Sequence, residues 1–270
     1  MRFSEYGCSS GTPVVYFHGV PGSPAEAAVL AQHAQLNNLR VLCFERFSLV
    51  GCASAEAYYQ QIAVAIRAEI GDAAVDFIGF SIGSQVALGT AFHLQEQVRN
   101  VHLLSAVAPL HGGDFLNAMA GKAVFSLAQS QPWLFRLLAR WQAFLAARFP
   151  AALFRLLFAS AQGQDAVLAS QVDFQRFMAD VLRGCFSQGT FGYCRDIQQF
   201  VAPWSAPNFT GDIRFHLWHG TDDNWSPIAM ADYLAATLPA VVGVHRMAGL
   251  SHYSCLYQAA PTLCQALAQR

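Results

Sequence analysis

The pentapeptide Gly79-Phe80-Ser81-Ile82-Gly83 joins the apolar run Val75-Asp76-Phe77-Ile78 to the helix-like stretch Ser84-Gln85-Val86-Ala87-Leu88. A serine between two glycines, where a buried strand passes into a helix, is typical of a nucleophile elbow, a strained turn that exposes the hydroxyl. A serine hydroxyl is a poor nucleophile alone, so chemistry at Ser81 would also need a base beside it. Because glycine and serine are common, the pentapeptide by itself also fits an ordinary turn.

Three further segments strengthen the interpretation. Residues 14–22 (VVYFHGVPG) indicate a buried strand and a tight glycine-proline loop upstream of the elbow, where an oxyanion-hole loop is expected. Residues 215–220 (FHLWHG) indicate a second strand, followed by the acidic loop 221–227 (TDDNWSP). A last strand near 243–248 leads to His252. The chain order is therefore serine, acid, histidine.

With these motifs the chain resembles the α/β-hydrolase superfamily, and more closely its bacterial members with a lid inserted after the sixth strand. The resemblance runs from about Gly11 to the end of the chain. The family pattern His-Gly-x-x-Asp-x-x-x-Pro begins at His219 and selects Asp223, and the pattern Gly-x-x-His ends at His252. The resemblance implies acyl-transfer hydrolysis by a catalytic triad of Ser81, His252 and Asp223.

Two alternatives stay open for the triad acid. Asp222 is adjacent in sequence, and Asp114 follows a predicted strand at a place where some superfamily members carry the acid. The oxyanion hole implied by the family uses two backbone N–H groups, that of Ile82 after the nucleophile and that of Val20 in the upstream loop. No metal or cofactor motif is visible, so the predicted chemistry uses side chains and backbone alone.

Strand and helix signals alternate along the chain, which predicts an α/β-hydrolase fold with a mostly parallel sheet of about six strands and helices on both faces. The predicted strands lie near 13–18, 40–45, 74–79, 100–106, 213–219 and 241–247. The predicted core helices cover about 23–37, 55–70, 82–97, 226–238 and 254–268. Ser23 to Glu26 fits a capping box at the first helix. Few residues precede the first strand, so the N-terminal antiparallel hairpin is expected to be shortened or absent.

The segment 110–207 interrupts this alternation and is predicted to be an inserted helical lid, with the core formed by 1–109 and 208–270. More than half of the 21 phenylalanines lie in the lid segment, together with Trp133, Trp141 and Trp204. Most of these rings are expected to form the lid's own core and its contact with the sheet domain. The remaining aromatic rings of the lid segment are expected to form an apolar pocket wall, which favours lipophilic acyl or alkyl groups.

The lid segment is also basic. Between Asp114 and Asp165 there is no acidic residue, and five cationic side chains occur there: Lys122, Arg136, Arg140, Arg148 and Arg155. Arginines 136, 140 and 155 would share a helix face only in a continuous helix, which Pro150 is expected to break. A solvated basic face is the simpler interpretation, and a weak contact with anionic membrane or an anionic substrate tail is the second.

Composition favours one compact enzyme domain. The 270 residues are 54% hydrophobic and carry a net charge of −1, which gives no general attraction for nucleic acid. The first residues contain no apolar run of signal-peptide length and no later run reaches membrane-spanning length, so a cytoplasmic protein is expected. The seven cysteines include no C-x-x-C pair, which argues against a disulfide framework and a zinc site.

The resemblance leaves the bond type open, because the same triad cleaves several kinds of bond. We expect a carboxylic-ester hydrolase acting on a lipophilic small molecule. A carbon–carbon bond hydrolase acting on a diketone-like substrate is the alternative among enzymes. A ligand receptor that keeps the fold with little turnover is the alternative outside them. Epoxide hydrolases and haloalkane dehalogenases are disfavoured because their elbow carries aspartate, whereas this elbow carries Ser81.

Overall fold

The computed structural model describes residues 1–269, and within that range one sheet of seven strands runs in the order β1-β3-β2-β4-β5-β6-β7. The strands are β1 (Phe3–Gly7), β2 (Thr12–Phe17), β3 (Leu39–Phe44), β4 (Val75–Phe80), β5 (Val98–Leu104), β6 (Arg214–Gly220) and β7 (Val241–Met247). Strands β2 to β7 pair in parallel, which confirms the six predicted strands. The unpredicted β1 pairs antiparallel with β3, so the N-terminal hairpin of the family is shortened to a single strand at this edge, as expected.

The sheet is covered on both faces, as predicted. The core α-helices are α1 (Ala31–Leu36), α2 (Ala55–Ile70), α3 (Gly83–Phe92), α10 (Ile228–Thr237) and α11 (His252–Ala268). Strand β2 shows the layering, because Val15 and Phe17 face the core beneath α2, α3 and α10, whereas Val14 and Tyr16 face the core beneath α1 and α11. Side chains of a strand point alternately to its two faces, so one apolar run fills both layers.

The first predicted helix differs from the expectation. Residues Pro24–Leu30 form a 3₁₀ helix before α1, and Ser23 makes no capping hydrogen bond with its side chain. The predicted capping box is therefore wrong. Glu26 turns into the protein interior instead of capping the helix, and it is completely buried.

Within the described residues, six α-helices lie between β5 and β6, and we call them the inserted helices. They are α4 (Lys122–Ser130), α5 (Pro132–Arg148), α6 (Pro150–Leu157), α7 (Gly163–Ala169), α8 (Val172–Phe186) and α9 (Phe191–Val201). Pro150 starts α6, where its missing N–H is not needed, so Arg155 lies on a different helix from Arg136 and Arg140. Across residues 1–269, no helix is both long and apolar enough to cross a membrane.

A buried ion-pair cluster fixes α9 to the loops that follow β2 and β3. Arg46 Nε lies 3.0 Å from Asp196 Oδ2, and Arg46 Nη2 donates to the carbonyl of His18 over 2.9 Å. Arg195 also pairs with Asp196 and donates to the carbonyl of Leu49. Because a buried charge is costly without a partner, this cluster fixes α9 against the sheet domain.

Candidate active site

Ser81 occupies a strained turn between β4 and α3. Its φ of 55° lies in the left-handed region, which non-glycine residues seldom adopt. Its N–H donates to the carbonyl of Leu104 over 3.0 Å, which ties the turn to the neighbouring strand. A side chain at position 83 would collide with the carbonyl oxygens of Phe17 and His18, so Gly83 is needed for the close approach of α3 to β2. This is the geometry that the pentapeptide predicted.

His252 and Asp223 meet at the carboxyl end of the sheet. His252 is the first residue of α11, Asp223 lies in the loop after β6, and the distance from His252 Nδ1 to Asp223 Oδ2 is 2.8 Å. The backbone N–H groups of Trp225 and Ser226 donate to Asp223 Oδ1 over 2.9 and 3.0 Å. Both members of the pair are buried.

The two alternative acids lie elsewhere. Asp222 is exposed and accepts a hydrogen bond from the hydroxyl of Thr221. Asp114 is also exposed and accepts from the side chain of Asn117. Among the three candidate carboxylates, Asp223 is therefore the one in contact with His252.

Ser81 and His252 line the same small cavity. The cavity has a free volume of about 10 Å³, which is about the space of one water molecule. From the inserted region, Leu157 at the end of α6, the following Phe158, and Met178 on α8 line it. The space beside Ser81 is therefore too small for a substrate larger than water in this arrangement of the lining side chains.

His252 and Asp223 each favour the charged form of the other. Burial alone would raise the pKa of Asp223, but the charge of His252 and its hydrogen bond outweigh burial and lower this pKa. Burial would likewise lower the pKa of His252. The charge and hydrogen bond of the Asp223 carboxylate, together with the negative charges of Asp165 and Glu26, outweigh burial and raise this pKa. The site is thus suited to stabilise an imidazolium ion.

The predicted oxyanion donors lie beside the cavity. Val20 lines it, and Ile82 follows Ser81 at the start of α3. Within residues 1–269, no hydrogen bond from the backbone N–H of Val20 or Ile82 is present. The neighbouring N–H of Gly19 is engaged, because it donates to Glu26 Oε2 over 2.7 Å. In the upstream loop, the N–H of Gly19 thus has a protein acceptor within the described residues, whereas that of Val20 has none.

Glu26 is a buried carboxyl group that the sequence pattern misassigned. Its Oε2 accepts hydrogen bonds from Gly19 N–H and the Tyr16 hydroxyl, and the Tyr253 hydroxyl lies 3.5 Å from its Oε1. Burial raises the pKa of Glu26 to about 7, although the Gly19 N–H and the Tyr16 hydroxyl partly offset this effect. The pattern Ser-x-x-Glu matches a capping box, so it did not reveal that Glu26 is buried. The apolar residues after Glu26 were the sequence signal for a buried position.

Two other residues support the pair and were missed. The Ser226 hydroxyl donates to the carbonyl of Ser105 over 2.7 Å and lies 3.3 Å from both Asp223 Oδ2 and His252 Nδ1. Asp165 on α7 accepts the backbone N–H groups of Tyr253 and Ser254 over 3.0 and 2.7 Å. It thereby caps the N-terminus of the helix that carries His252. No local sequence signal links Asp165 to that helix, because the contact is tertiary.

The described part of the chain contains no group of three or more His, Cys, Asp or Glu side chains arranged to hold a metal ion. The arrangement at the sheet edge instead combines a hydroxyl, an imidazole paired with a carboxylate, and free backbone N–H groups. These are the components of nucleophilic acyl transfer.

Comparison with known proteins supports this architecture. A model described as "Alpha/beta hydrolase family" matches residues 14–264. An alpha/beta hydrolase fold protein from Nakamurella multipartita superimposes with a TM-score of 0.67 at 19% identity, covering 99% of this chain and 93% of that one. An esterase from a Rhodococcus species gives a TM-score of 0.66 at 17% identity, covering 98% and 94%. A mutant of a meta-cleavage product hydrolase gives 0.64 at 14% identity, covering 99% and 93%. None of the curated protein sequences matches this chain.

Proposed function

The chain belongs to the alpha/beta hydrolase family, and from that premise we propose that this hydrolase cleaves a carboxylic ester of a lipophilic small molecule through an acyl-enzyme. Ser81 is the proposed nucleophile, His252 the general base and Asp223 the acid that orients it. The observation that carries the proposal is the 2.8 Å contact of His252 with Asp223 at a cavity that His252 shares with Ser81.

The proposed reaction has two halves. His252 Nε2 takes the proton of the Ser81 hydroxyl while its oxygen attacks the ester carbonyl, and the N–H groups of Val20 and Ile82 bind the resulting oxyanion. The ester C–O bond then breaks, and His252 returns the proton to the departing alcohol. Water attacks the acyl-enzyme by the same route and releases the carboxylic acid and free Ser81. Asp223 holds the imidazole in the required tautomer and stabilises its charged form.

We further propose that residues 110–207 act as a lid over a core of residues 1–109 and 208–270. The support is that Leu157, Phe158 and Met178 of this segment line the narrow cavity at Ser81. Binding pockets for small molecules usually have several hundred cubic ångströms, so the lid would have to open for substrate. The apolar character of these lining side chains supports a preference for lipophilic substrates. A cytoplasmic location and the absence of a nucleic-acid partner stay predictions.

A carbon–carbon bond hydrolase acting on a diketone-like substrate is the second candidate. It is favoured by the similarity to a meta-cleavage product hydrolase, which at 14% identity is a similarity of fold. The proposed triad would serve that reaction as well. A receptor with little turnover would keep the same geometry, so only kinetics separates it from the two enzymes.

The proposed function is tested with activated esters graded by acyl chain length and with a fluorophosphonate probe. We expect steady turnover, labelling of Ser81, and a loss on the order of 10³ or more in turnover for Ser81→Ala. Ser130→Ala, at an exposed serine of α4, is the control and should keep full activity. A stoichiometric burst without turnover would favour the receptor. Failure of the probe to label the protein would exclude the serine mechanism.

A further inference from the structure

The outward face of α5 is apolar and aromatic. Trp133, Leu137, Trp141 and Phe144 are 63%, 48%, 49% and 55% exposed. Spacings of three and four residues place these side chains in one stripe along the helix. The opposite face of α5 is buried, as Phe135 and other inward residues show. The helix therefore satisfies its own core contacts and still presents a second apolar face to solvent.

This stripe extends past the end of α5, because Phe149 is exposed and its ring lies 6.0 Å from that of Phe144. Leu156 is also exposed, on the next helix α6. We call these six side chains the α5–α6 patch: Trp133, Leu137, Trp141, Phe144, Phe149 and Leu156. Leu156 directly precedes Leu157 and Phe158, which line the cavity at Ser81. Scattered exposed apolar residues are ordinary, but a run of exposed apolar side chains along one side of a helix, as from Trp133 to Phe149, marks a contact surface.

The surroundings of the patch are positively charged. Arg136, Arg140 and Arg148 lie on α5 and Arg155 lies on α6, and all four are exposed. No acidic residue occurs at positions 115–164. The acidic residues of the packed helices α8 and α9 do not compensate for this charge, because each is paired or buried: Asp173 with Arg176, Asp180 with Arg183, and Asp196 within the buried cluster.

Two of these arginines border a groove between α5 and α9. The groove has a volume of about 590 Å³, and its rim includes Arg136, Arg140 and Thr190. Guanidinium and hydroxyl groups are suitable donors for a phosphate group. The groove therefore places phosphate-binding groups directly beside the apolar stripe, at one side of the same helix.

We propose that the α5–α6 patch docks on the surface of a membrane that contains anionic phospholipids. Tryptophan and phenylalanine side chains enter the boundary between headgroups and acyl chains, where aromatic residues are enriched. The arginines contact the negatively charged headgroups. A second copy of this chain is a poorer occupant, since a two-fold contact through the patch would bring the same arginines to face each other. The proposal is independent of the proposed hydrolase activity.

The test is sedimentation of the full chain with vesicles of phosphatidylcholine alone and of equal parts phosphatidylcholine and phosphatidylserine. We expect binding to the mixed vesicles, much weaker binding to the neutral ones, and a decrease as salt screens the charges. Combined Arg136→Gln and Arg140→Gln should weaken binding about 25-fold, at about fivefold for each cation. Combined Trp133→Ser and Trp141→Ser should abolish measurable binding.

The control variants carry equivalent substitutions on surfaces of the protein outside the α5–α6 patch. Arg176→Gln with Arg183→Gln removes the same charge from α8, and Leu36→Ser with Val64→Ser removes two exposed apolar side chains elsewhere. Both controls should bind like the unchanged protein, and melting curves should show that every variant is folded. Absence of binding to mixed vesicles, or equal binding by patch and control variants, would overturn the proposal. A dimer that only the tryptophan variant dissolves would assign the patch to a second copy instead.

Discussion

Two buried carboxyl groups near His252, Asp223 after β6 and Glu26 after β2, have pKa values shifted in opposite directions. Asp223 has a lowered pKa, whereas the pKa of Glu26 is raised to about 7. Both are closed off from solvent, so burial alone does not explain the difference. The difference comes from their partners, because burial disfavours a carboxylate unless a charged or well-placed donor compensates.

The partners differ in charge. Asp223 receives the imidazole of His252, which becomes positive, together with two backbone N–H groups. Glu26 receives one backbone N–H and neutral tyrosine hydroxyls. Asp223 is therefore suited to hold a negative charge opposite His252. Glu26 is suited to fix the upstream loop through Gly19, and it carries only part of a charge near neutral pH.

The largest expected effect is the loss of activity in Asp223→Asn. An amide in place of the carboxylate would favour the wrong tautomer of His252 and no longer stabilise its charged form, so kcat should fall on the order of 10³ to 10⁴. Steady-state kinetics on an activated ester would measure it. Asp222→Asn is the matched control, because its exposed side chain does not reach His252, and it should stay close to normal activity. A larger loss in Asp222→Asn would reverse the assignment.

The second prediction concerns stability in Glu26→Gln. The glutamine carbonyl can accept the hydrogen bonds of Gly19 and Tyr16, so the variant should fold. In the unchanged protein the pKa of Glu26 rises from 4.5 unfolded to about 7 folded. Between these two pKa values, the folded state keeps a proton on Glu26 that the unfolded state has lost. The stability that depends on this proton is therefore complete below pH 4.5 and is lost as pH rises through 7. The loss amounts to about 3 kcal/mol of unfolding free energy.

Urea unfolding at pH 5 and pH 8 would measure that loss. The unchanged protein should lose stability relative to Glu26→Gln as pH rises, so that the variant is the more stable protein at pH 8. Glu56→Gln, at an exposed glutamate on α2, is the control and should run parallel to the unchanged protein. A constant difference between the unchanged protein and Glu26→Gln at both pH values would contradict a raised pKa for Glu26.

The same contrast explains how far the sequence could predict the site. The elbow and the loop around Asp223 were predicted because their residues act within a few positions of one another. Glu26 was misassigned because Ser-x-x-Glu also matches a capping box, and only tertiary packing decides between the two. The exposure of Trp133 and Trp141 was likewise hidden, since α5 is apolar on two faces and periodicity cannot tell which face is covered.

A third buried carboxyl group, Asp165, holds the N-terminus of α11. Each of its oxygens accepts one backbone N–H, from Tyr253 and from Ser254. Asp165→Asn would turn an amide NH₂ toward one of these donors and leave it unsatisfied, which should cost about 2 kcal/mol of stability. Urea unfolding would measure the change. Asp180→Asn, at an exposed residue of α8, should cost much less, and equal costs would show that the buried contact is unimportant.

The smallest expected effect is a shift of the acid limb in the pH–rate profile of Glu26→Gln. Activity requires neutral His252, so it should rise with pH through the raised pKa of that residue. Glu26 contributes to raising this pKa through its negative charge, so its removal should move the acid limb to lower pH. The shift should be small because Glu26 contributes less to raising this pKa than Asp223 and Asp165 do. A profile of kcat/KM against pH would measure it, and a shift to higher pH would mean that Glu26 acts on His252 through loop position and not through charge.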